Sequence, residues 1–350
     1  MNASWWLEPV QAVDESYAQA ARKRQAQLTK PPGSLGELET IAIRLCGLQR
    51  CDRPHIERAH ITVFAADHGV AEEGVSAFPQ AVTVEMLRNF ARGGAAISVL
   101  ARALNATLEV VNVGTVGNPG PLPGVIDNRI AAGTANFFHA RAMSEAQLAA
   151  ALQAGAESVE RAHGQHADIF IGGEMGIANT TSATAVACAL LNAAASRLSG
   201  PGTGLDNAGI QHKARVIDQA LASQRFSADD SLDILRCFGG FEIAALTGAY
   251  LRCAQLAMPV LVDGYIASVA ALCALQVQTK ASVWFFYGHH SAEPGHRLVM
   301  EKIAARPLLQ LGMRLGEGSG AAAALPLMRL ACALHNQMAT FAEAGVSEAL

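Results

Sequence analysis

The stretch Ile169-Phe-Ile-Gly-Gly-Glu-Met-Gly-Ile-Ala-Asn-Thr-Thr-Ser182 joins a short apolar run to glycines and a cluster of hydroxyl side chains. The run from Asp168 to Ile171 has the length and β-branching of a buried strand, and the hydroxyl cluster opens an alanine-rich segment typical of a helix. A strand that turns through glycines into a helix presents free backbone N–H groups and the positive end of the helix dipole, which suits a phosphate. The plain structural alternative is a tight βα loop with an ordinary Ser/Thr cap.

Apolar strands alternate with helices over most of the chain. This alternation predicts an α/β fold with a parallel, Rossmann-like sheet covered by helices. The predicted strands are Ile61–Ala65, Leu108–Val113, Asp168–Ile171, Val260–Val262, Ser282–Phe286 and a short one near Leu308–Leu311. The predicted helices are Val10–Leu28, Ser34–Leu48, Val82–Leu104 with a break at Gly93-Gly94, Glu145–Ala162, Thr181–Ala195, Asn207–Ser223, Glu242–Leu256, Ile266–Leu275, Glu293–Ile303 and Ala321–Phe341. Capping boxes are predicted at Ser34/Glu37 and Ser144/Gln147, and a long Gly/Pro-rich loop at Gly114–Asn136.

The composition indicates a globular protein with a large core. The 350 residues are 51% hydrophobic and 16% charged, enough for one large core or two. A net charge of −4 predicts no nucleic-acid partner and no attraction to anionic membranes. The amino terminus lacks the pattern of a signal peptide, and no apolar stretch reaches the ~20 residues of a membrane span. Seven scattered cysteines without a C-x-x-C motif indicate reduced core thiols and a cytoplasmic location.

Acids, histidines and glycines follow the predicted strands in segments that are otherwise apolar. In open parallel sheets, ligands bind beyond the carboxyl ends of the strands, so these side chains predict a cleft. They are Asp67-His68, Gly114-Thr115, Gly172-Gly173-Glu174, Asp263-Gly264, His289-His290-Ser291 and, after the short sixth strand, Glu317 with its flanking glycines.

Three functions compete for this cleft. A dinucleotide-binding oxidoreductase would use Gly316–Ala321, but no second strand follows to complete the βαβ unit. A metal-dependent hydrolase would use Asp67, His68, Asp263, His289, His290 and His296, although adjacent histidines point in opposite directions and no H-E-x-x-H spacing occurs. A transferase would hold a phosphorylated substrate with Gly176–Thr180 and Gly200–Gly204, with Lys213 or Arg215 as counter-charge and Glu174 or Glu317 for the proton chemistry.

Six motifs favour the transferase. They are, in order, Lys30-Pro-Pro-Gly-Ser-Leu-Gly36, Ala65-Ala-Asp-His-Gly-Val70, Gly173-Glu-Met-Gly-Ile-Ala-Asn-Thr-Thr181, Gly200-Pro-Gly-Thr-Gly204, Leu261-Val-Asp-Gly264 and Leu315-Gly-Glu-Gly-Ser-Gly320. Over nearly the whole chain they resemble the nicotinate-nucleotide–dimethylbenzimidazole phosphoribosyltransferase family of cobalamin nucleotide-loop assembly. The resemblance implies transfer of phosphoribose from nicotinate mononucleotide to 5,6-dimethylbenzimidazole, giving α-ribazole 5′-phosphate and nicotinate. It also implies a homodimer without a metal or redox cofactor.

The resemblance implies a domain division and a set of site residues. A parallel α/β catalytic domain would span residues 60–320, and a small helical domain would combine residues 1–59 and 321–350. Glu317 would be the general base, and Glu174 would lie beside the ribose. The phosphate and ribose would contact Gly176, Ala178, Asn179, Thr180, Gly202, Thr203, Gly204 and Lys213. The base would contact the loop Ser76–Thr83, through Gln80, together with Met175, Asp263, Ser291 and Leu315. The acceptor base itself and the roles of Asp67, His68, His289 and His290 stay open.

The chemistry of the implied reaction needs only one base. The nicotinate ring leaves as a neutral pyridine and needs no acid, whereas the incoming benzimidazole must lose its N–H proton. One carboxylate therefore suffices, where glycoside hydrolysis uses two. A second carboxylate would stabilise the positive charge that develops on the ribose. Direct displacement predicts inversion and an α-riboside.

Overall fold

The computed structural model describes residues 4–347 and contains a six-stranded sheet in which every strand pair is parallel. The strand order is β3-β2-β1-β4-β5-β6. The predicted α/β fold with a parallel, Rossmann-like sheet is thus confirmed. The strands are β1 (Ala59–Ala66), β2 (Thr107–Gly114), β3 (Val125–Asp127), β4 (Ile169–Met175), β5 (Val260–Val262) and β6 (Phe285–Tyr287).

Helices cover both faces of the sheet. All eight residues of β1 are buried, and because successive side chains point to opposite faces, neither face of this strand meets solvent. The α-helices of the described residues are α1 (Glu15–Gln27), α2 (Glu37–Gln49), α3 (Ala81–Arg92), α4 (Ala96–Ala103), α5 (Glu145–Gly164), α6 (Asn179–Leu191), α7 (Ala195–Leu198), α8 (Asn207–Ser223), α9 (Ser231–Phe238), α10 (Phe241–Gln255), α11 (Tyr265–Val277), α12 (Pro294–Ile303), α13 (Ser319–Gln337) and α14 (Phe341–Ala344).

The topology places a crevice between β1 and β4. From β1 the chain builds the sheet outward through β2 and β3, whereas β4, β5 and β6 extend it in the other direction. Loops that follow the two central strands therefore leave toward opposite sides, and ligands bind at such a switch point. Asp67 follows β1 and Gly176 follows β4, so both border this crevice.

Two glycines let α10 approach α5 backbone to backbone. A Cβ atom on Gly155 would overlap with the carbonyl oxygen of Ala245, and one on Gly248 would overlap with that of Leu152. Since α10 also packs on β1, β2 and β4, this close contact fixes the position of its first turn beside the carboxyl ends of those strands.

The terminal segments pack together. Helix α2 packs against α1 and α13, and Leu28 forms an antiparallel bridge with Thr340. Helix α13 continues across the predicted boundary between residues 320 and 321, and the division into two domains stays a prediction. Residues 1–3 and 348–350, which the predicted small domain includes, lie outside the described residues.

Two helices begin later than the sequence predicts. Helix α1 begins at Glu15 rather than at Val10, because the Asp14 carboxylate accepts the Ser16 N–H and caps the helix (3.0 Å). The predicted capping box at Ser34 is wrong, since α2 begins at Glu37 after Gly36, whose φ is +55°. The predicted box at Ser144 and Gln147 is confirmed.

Glycines and turns account for the other differences. Strand β4 continues through Gly172 and Gly173 to Met175, so these glycines belong to the strand rather than to a turn. The predicted strand near Leu308–Leu311 is wrong, because that segment forms only an isolated bridge between Leu309 and His289. A 3₁₀-helix at Thr279–Trp284 replaces the start of the strand that was predicted from Ser282. Strand β3 lies inside the predicted loop Gly114–Asn136. Helix α9 was not predicted.

Three predicted helices have different bounds. The break at Gly93-Gly94 is confirmed, because it separates α3 from α4. The predicted helix Thr181–Ala195 begins earlier, at Asn179, and ends at Leu191, because Asn192 adopts a left-handed conformation with a φ of +48°. The Thr-Thr-Ser cluster therefore lies inside the first turn of α6 and does not cap it. The predicted helix Ala321–Phe341 ends at Gln337, and Phe341 begins the short α14.

Candidate active site

A pocket of about 370 Å³ opens at the carboxyl ends of the strands. Most of its wall is apolar, and its polar side chains include carboxylates, hydroxyls, an amide, an imidazole and a guanidinium, as in many small-molecule sites. Its apolar lining includes Phe78, Val82, Met86, Met175, Ile177 and Leu315, and its polar lining includes Glu174, Asn179, Thr180, Asp263, His289, Ser291, Glu293, Arg314 and Glu317.

Glu317 lies in a tight left-handed turn at the wall of the pocket. Its φ is +63°, between Gly316 at +88° and Gly318 at +83°. A non-glycine residue in this region costs roughly 1–2 kcal/mol, and such strain persists only where the surrounding structure holds the residue in place. The residue is only 4% exposed, and its side-chain Oε2 accepts the Ile97 N–H at 3.2 Å. Glu317 is therefore not a solvated loop acid.

Two glycines bring Glu317 and Glu174 together. A Cβ atom on Gly173 would overlap with the carbonyl group of Glu317, and one on Gly316 would overlap with the Glu174 carboxylate. The Glu317 N–H also donates to the Glu174 carbonyl oxygen at 3.2 Å. The end of β4 and the turn before α13 are thus in direct backbone contact.

Glu174 is buried beside three other acids. Burial raises its pKa well above the usual value, and the nearby carboxylates of Glu242, Asp263 and Glu317 raise it further. The Asn179 side-chain amide donates to Glu174 Oε2 and opposes this shift. Burial also raises the pKa of Glu317, with a smaller contribution from Asp263, while the hydrogen bond from Ile97 opposes it. Both glutamates are therefore stronger bases than exposed carboxylates.

Asp263 holds the turn that carries Glu317. Its carboxylate accepts the Ala321 N–H at 2.8 Å and the Gly318 N–H at 3.2 Å, at the start of α13. His289 Nε2 lies 3.6 Å from Asp263 Oδ1. Burial raises the pKa of Asp263, and His289 opposes that shift. Asp263 lines the pocket, but its oxygens are engaged in fixing the backbone.

Lys213 lies behind the far end of the pocket. Its fully buried ammonium donates to Thr180 Oγ1 at 2.8 Å and to the Gly200 carbonyl oxygen at 3.5 Å. Burial lowers its pKa to about 8, and Glu293 opposes this shift. Glu293 Oε1 accepts the Gly202 N–H at 3.1 Å, which ties the glycine-rich loop to the start of α12.

The pocket brings together most of the predicted site residues. Four of them lie outside its lining: Gln80 donates to the His68 carbonyl oxygen (2.8 Å), Ala178 caps α6, Gly204 donates to the Pro201 carbonyl oxygen (2.9 Å), and Lys213 stands behind Thr180. Those in the lining are Glu174, Met175, Gly176, Asn179, Thr180, Gly202, Thr203, Asp263, Ser291, Leu315 and Glu317.

Sequence reasoning missed Met86, Glu293 and Arg314 as pocket residues. Met86 lies one helical turn after Val82 on α3, so both side chains share a face of the helix. Assigning Val82 to the pocket would therefore have predicted Met86 there as well. Arg314 donates to the Gly202 carbonyl oxygen at 2.7 Å, a contact between distant segments that no local pattern signals. Glu293 precedes Pro294 and resembles an ordinary helix start.

The residues with open roles lie at the edge of the pocket or beneath it. Asp67 accepts Thr83 Oγ1–H at 2.6 Å and the Val116 N–H at 2.8 Å, and burial raises its pKa. His290 packs beside the ring of His296, whose pKa burial lowers to about 3. In residues 4–347 no three His, Cys, Asp or Glu side chains are arranged to share a metal ion. No helix in the same range is long and apolar enough to cross a membrane.

Comparison with known proteins identifies the family. A phosphoribosyltransferase family model matches residues 10–346. Nicotinate-nucleotide–dimethylbenzimidazole phosphoribosyltransferases of Pseudomonas putida and Pseudomonas aeruginosa are each 59% identical over 348 residues, 99% of both chains. The crystal structure of the enzyme of that name from Thermus thermophilus is 40% identical, covers 96% of this chain and 100% of its own, and superposes with a TM-score of 0.91. The chain therefore belongs to the nicotinate-nucleotide–dimethylbenzimidazole phosphoribosyltransferase family and is a pentosyltransferase.

Proposed function

We propose that this protein transfers 5-phosphoribose from nicotinate mononucleotide to 5,6-dimethylbenzimidazole and releases nicotinate and α-ribazole 5′-phosphate. The observation that carries the proposal is the pair Glu174 and Glu317, buried together at the wall of an apolar pocket. Neither carboxylate forms an ion pair with a cationic side chain of residues 4–347. Both are therefore available to a substrate that carries positive charge.

Glu317 is the proposed general base. Its Oε2 is held by the Ile97 N–H, whereas Oε1 accepts no hydrogen bond from the described residues and can receive the benzimidazole proton. A raised pKa makes the carboxylate a better proton acceptor, provided that it remains ionised at the working pH. The strained turn around Glu317 and the contacts of Asp263 with α13 preorganise this carboxylate.

Glu174 is the proposed stabiliser of the ribose. As the bond to nicotinate breaks, positive charge moves from the pyridinium ring to C1′, and a nearby carboxylate lowers the energy of that state. The 5′-phosphate would bind at the start of α6, where the helix dipole favours an anion and where Lys213 supplies charge through Thr180. Two loops would surround the phosphate, and they contain Gly176, Ala178, Asn179, Gly202, Thr203 and Gly204.

The apolar wall is the proposed site of the flat acceptor base. Phe78 and Leu315 are 51% and 58% exposed, an unusual exposure for large apolar side chains that face a pocket. A planar aromatic base would cover them and contact Val82, Met86 and Met175. Such a slot discriminates weakly among bases that differ by a methyl group.

The proposed mechanism predicts the stereochemistry of the product. The donor carries nicotinate on the β face, and a direct displacement brings the acceptor nitrogen to the opposite face. The product should be the α-riboside, with the anomeric proton signal in NMR as the measurement. A double displacement through a covalent ester of Glu174 would return the β-anomer. A β-linked product, or a trapped ester on Glu174, would refute the one-step mechanism.

The decisive test of the proposed function is a direct assay. Purified protein is incubated with nicotinate mononucleotide and dimethylbenzimidazole in the presence of EDTA, and nicotinate release is followed by chromatography. Release that depends on the acceptor base supports the transferase. Release of phosphate or of ribose 5-phosphate without an acceptor, restored only by added metal, would instead support a hydrolase.

The resemblance also supports a homodimer and a cytoplasmic location. Sedimentation equilibrium should give twice the mass of the 36.5 kDa chain. The seven cysteines are all free, and six of them are buried, as expected for a protein that remains in a reducing compartment. A monomeric mass at micromolar concentration would contradict the dimer.

A further inference from the structure

Arg314 places a guanidinium group in the wall of the pocket. In the part of the chain that the structure describes, no other arginine and no lysine lines this pocket. Arg314 is exposed, and its Nη1 donates to the Gly202 carbonyl oxygen at 2.7 Å. Within residues 4–347 this is its only hydrogen bond, and no carboxylate forms an ion pair with it. The Nε and Nη2 edge of the guanidinium is therefore free to bind a ligand.

The backbone around Arg314 is anchored on both sides. On one side the Met313 carbonyl oxygen accepts the Ala292 N–H at 2.9 Å, and on the other the Glu317 N–H donates to the Glu174 carbonyl oxygen at 3.2 Å. Only two residues separate Arg314 from Glu317. The backbone that carries the arginine is thus held in place beside the proposed general base.

The backbone N–H groups near this arginine offer little to an anion. The Gly202 N–H donates to Glu293 Oε1 at 3.1 Å, and the Gly204 N–H donates to the Pro201 carbonyl oxygen at 2.9 Å. At the start of α6, the Asn179 N–H is engaged as well, with the carbonyl group three residues before it. Several of the amides that could hold a phosphate between these two loops already have acceptors, so a charged side chain has to contribute.

Lys213 does not reach the pocket. Its ammonium is fully buried, it donates to Thr180 Oγ1 and to the Gly200 carbonyl oxygen, and it lies outside the pocket lining. A phosphate monoester carries about −1.5 to −2 charge at neutral pH. A cation in direct contact stabilises this charge more than a cation that acts through a hydroxyl group, because the interaction weakens with distance.

We propose that Arg314 binds the 5′-phosphate of the donor directly through Nε and Nη2, while its Nη1 stays on the Gly202 carbonyl oxygen. The proposal rests on the proposed function, because the phosphate is placed between α6 and the loop Gly200–Gly204 there. A guanidinium presents two parallel N–H donors to two phosphate oxygens, which a lysine ammonium does not. Arg314 thus contacts the phosphate from the solvent side, and Lys213 supports it from behind through Thr180.

The test compares three ligands that differ in one anionic group each. Nicotinate mononucleotide has a phosphate and a ring carboxylate, nicotinate riboside lacks the phosphate, and nicotinamide mononucleotide lacks the carboxylate. Binding to the full chain is measured by titration calorimetry without an acceptor base. Arg314→Met should weaken the binding of both nucleotides by roughly 10–10²-fold and leave that of the riboside unchanged, because charge-assisted hydrogen bonds to the phosphate are lost. Arg314→Lys keeps the charge without the two parallel donors and should recover part of the affinity.

Salt separates direct binding from a role in holding the loop. An ion pair with the phosphate weakens as the salt concentration rises, so the salt dependence of nucleotide binding should be smaller in Arg314→Met than in the wild type. Ser76→Ala removes a contact of 3.3 Å with Thr203 on the same loop, and Arg297→Met removes an exposed arginine on α12. Both controls should keep the salt dependence of the wild type.

Two results would overturn the proposal. One is an unchanged salt dependence in Arg314→Met, which would limit the arginine to its contact with Gly202. The other is a loss of affinity that follows the ring carboxylate, with the riboside weakened and nicotinamide mononucleotide unaffected. Wild-type protein that binds the nucleotides through Arg314 but transfers no phosphoribose would leave this proposal intact and refute the proposed function.

Discussion

Replacing Glu317 by Gln removes the proton acceptor and leaves almost everything else unchanged. Gln has the same size, and its Oε1 can accept the Ile97 N–H that Glu317 Oε2 now accepts at 3.2 Å. The left-handed turn is equally strained with either residue. Only the proton transfer is lost, so turnover should fall by roughly 10²–10⁴-fold, equivalent to about 3–5 kcal/mol of transition-state stabilisation.

The same variant has a predicted effect on stability. Burial raises the pKa of Glu317 in the folded protein above its value in the unfolded chain. Between these two values the folded state binds more protons than the unfolded state, so the wild-type protein loses stability as the pH rises through that window. Gln carries no such penalty. The Tm of Glu317→Gln should match that of the wild type below the usual glutamate pKa and exceed it by a growing margin as the pH rises above that value.

The assay follows nicotinate release at saturating concentrations of both substrates, and circular dichroism reports the fold. Glu301→Gln, an exposed acid on α12, serves as the matched control. Turnover near the wild-type value in a folded Glu317→Gln protein would refute the reasoning and transfer the role of base to Glu174. A variant that melts well below the wild type at pH 7 would show that the ionised carboxylate stabilises the fold, which contradicts the cost expected from its burial.

Two further predictions concern the phosphate end of the pocket and the packing of the core. Lys213→Met should lower kcat/KM for nicotinate mononucleotide by roughly 10²-fold and affect both kcat and KM, because the phosphate helps to orient C1′. Nicotinate riboside, which lacks the phosphate, should be a poor donor whose reaction hardly changes in this variant. Arg215→Met, on the exposed face of α8, should have no effect. Equal losses with both donors would contradict the assignment. Gly155→Ala should destabilise the protein by ~1–3 kcal/mol in urea unfolding, because its Cβ would overlap with the Ala245 carbonyl of α10. Gly164→Ala, at the open end of α5, is the control and should be neutral or slightly stabilising, and equal losses in both variants would refute the packing argument.

The sheet was predictable because its strands carry a local signature. Apolar runs such as Ile61–Ala65 and Val260–Val262 indicate buried strands. The structure contains the first with a small extension at each end and the second with the predicted bounds. Gly172 and Gly173 misled the prediction, since glycine is normally a turn residue. Here a Cβ atom on Gly172 would overlap with the Leu246 side chain and lie against Tyr250, and one on Gly173 would overlap with the Glu317 backbone. Neighbours that are remote in sequence therefore require both glycines.

The site was predictable to the extent that it lies at strand ends. Parallel strands end at one edge of a sheet, and this rule alone brings Glu174, Asp263 and their neighbours together. Glu317 follows an isolated bridge instead of a strand, and its place in the pocket results from the turn that Asp263 holds. The structure therefore brings the predicted residues together, but this turn, and not the predicted sixth strand, places Glu317 among them.

Glu242 shows why the remainder could not be read from the sequence. An acid in the first turn of a helix already has a sufficient local explanation, because it complements the helix dipole. That explanation predicts an exposed side chain, whereas Glu242 is completely buried against His68. The difference arises because Gly155 and Gly248 draw α10 against α5, and because Gly240 leaves space for the imidazole. Each of these glycines is ordinary where it stands in the sequence. Only their joint effect on the position of α10 brings the buried Glu242 carboxyl group against His68, so this contact is a property of the packed fold and not of any motif.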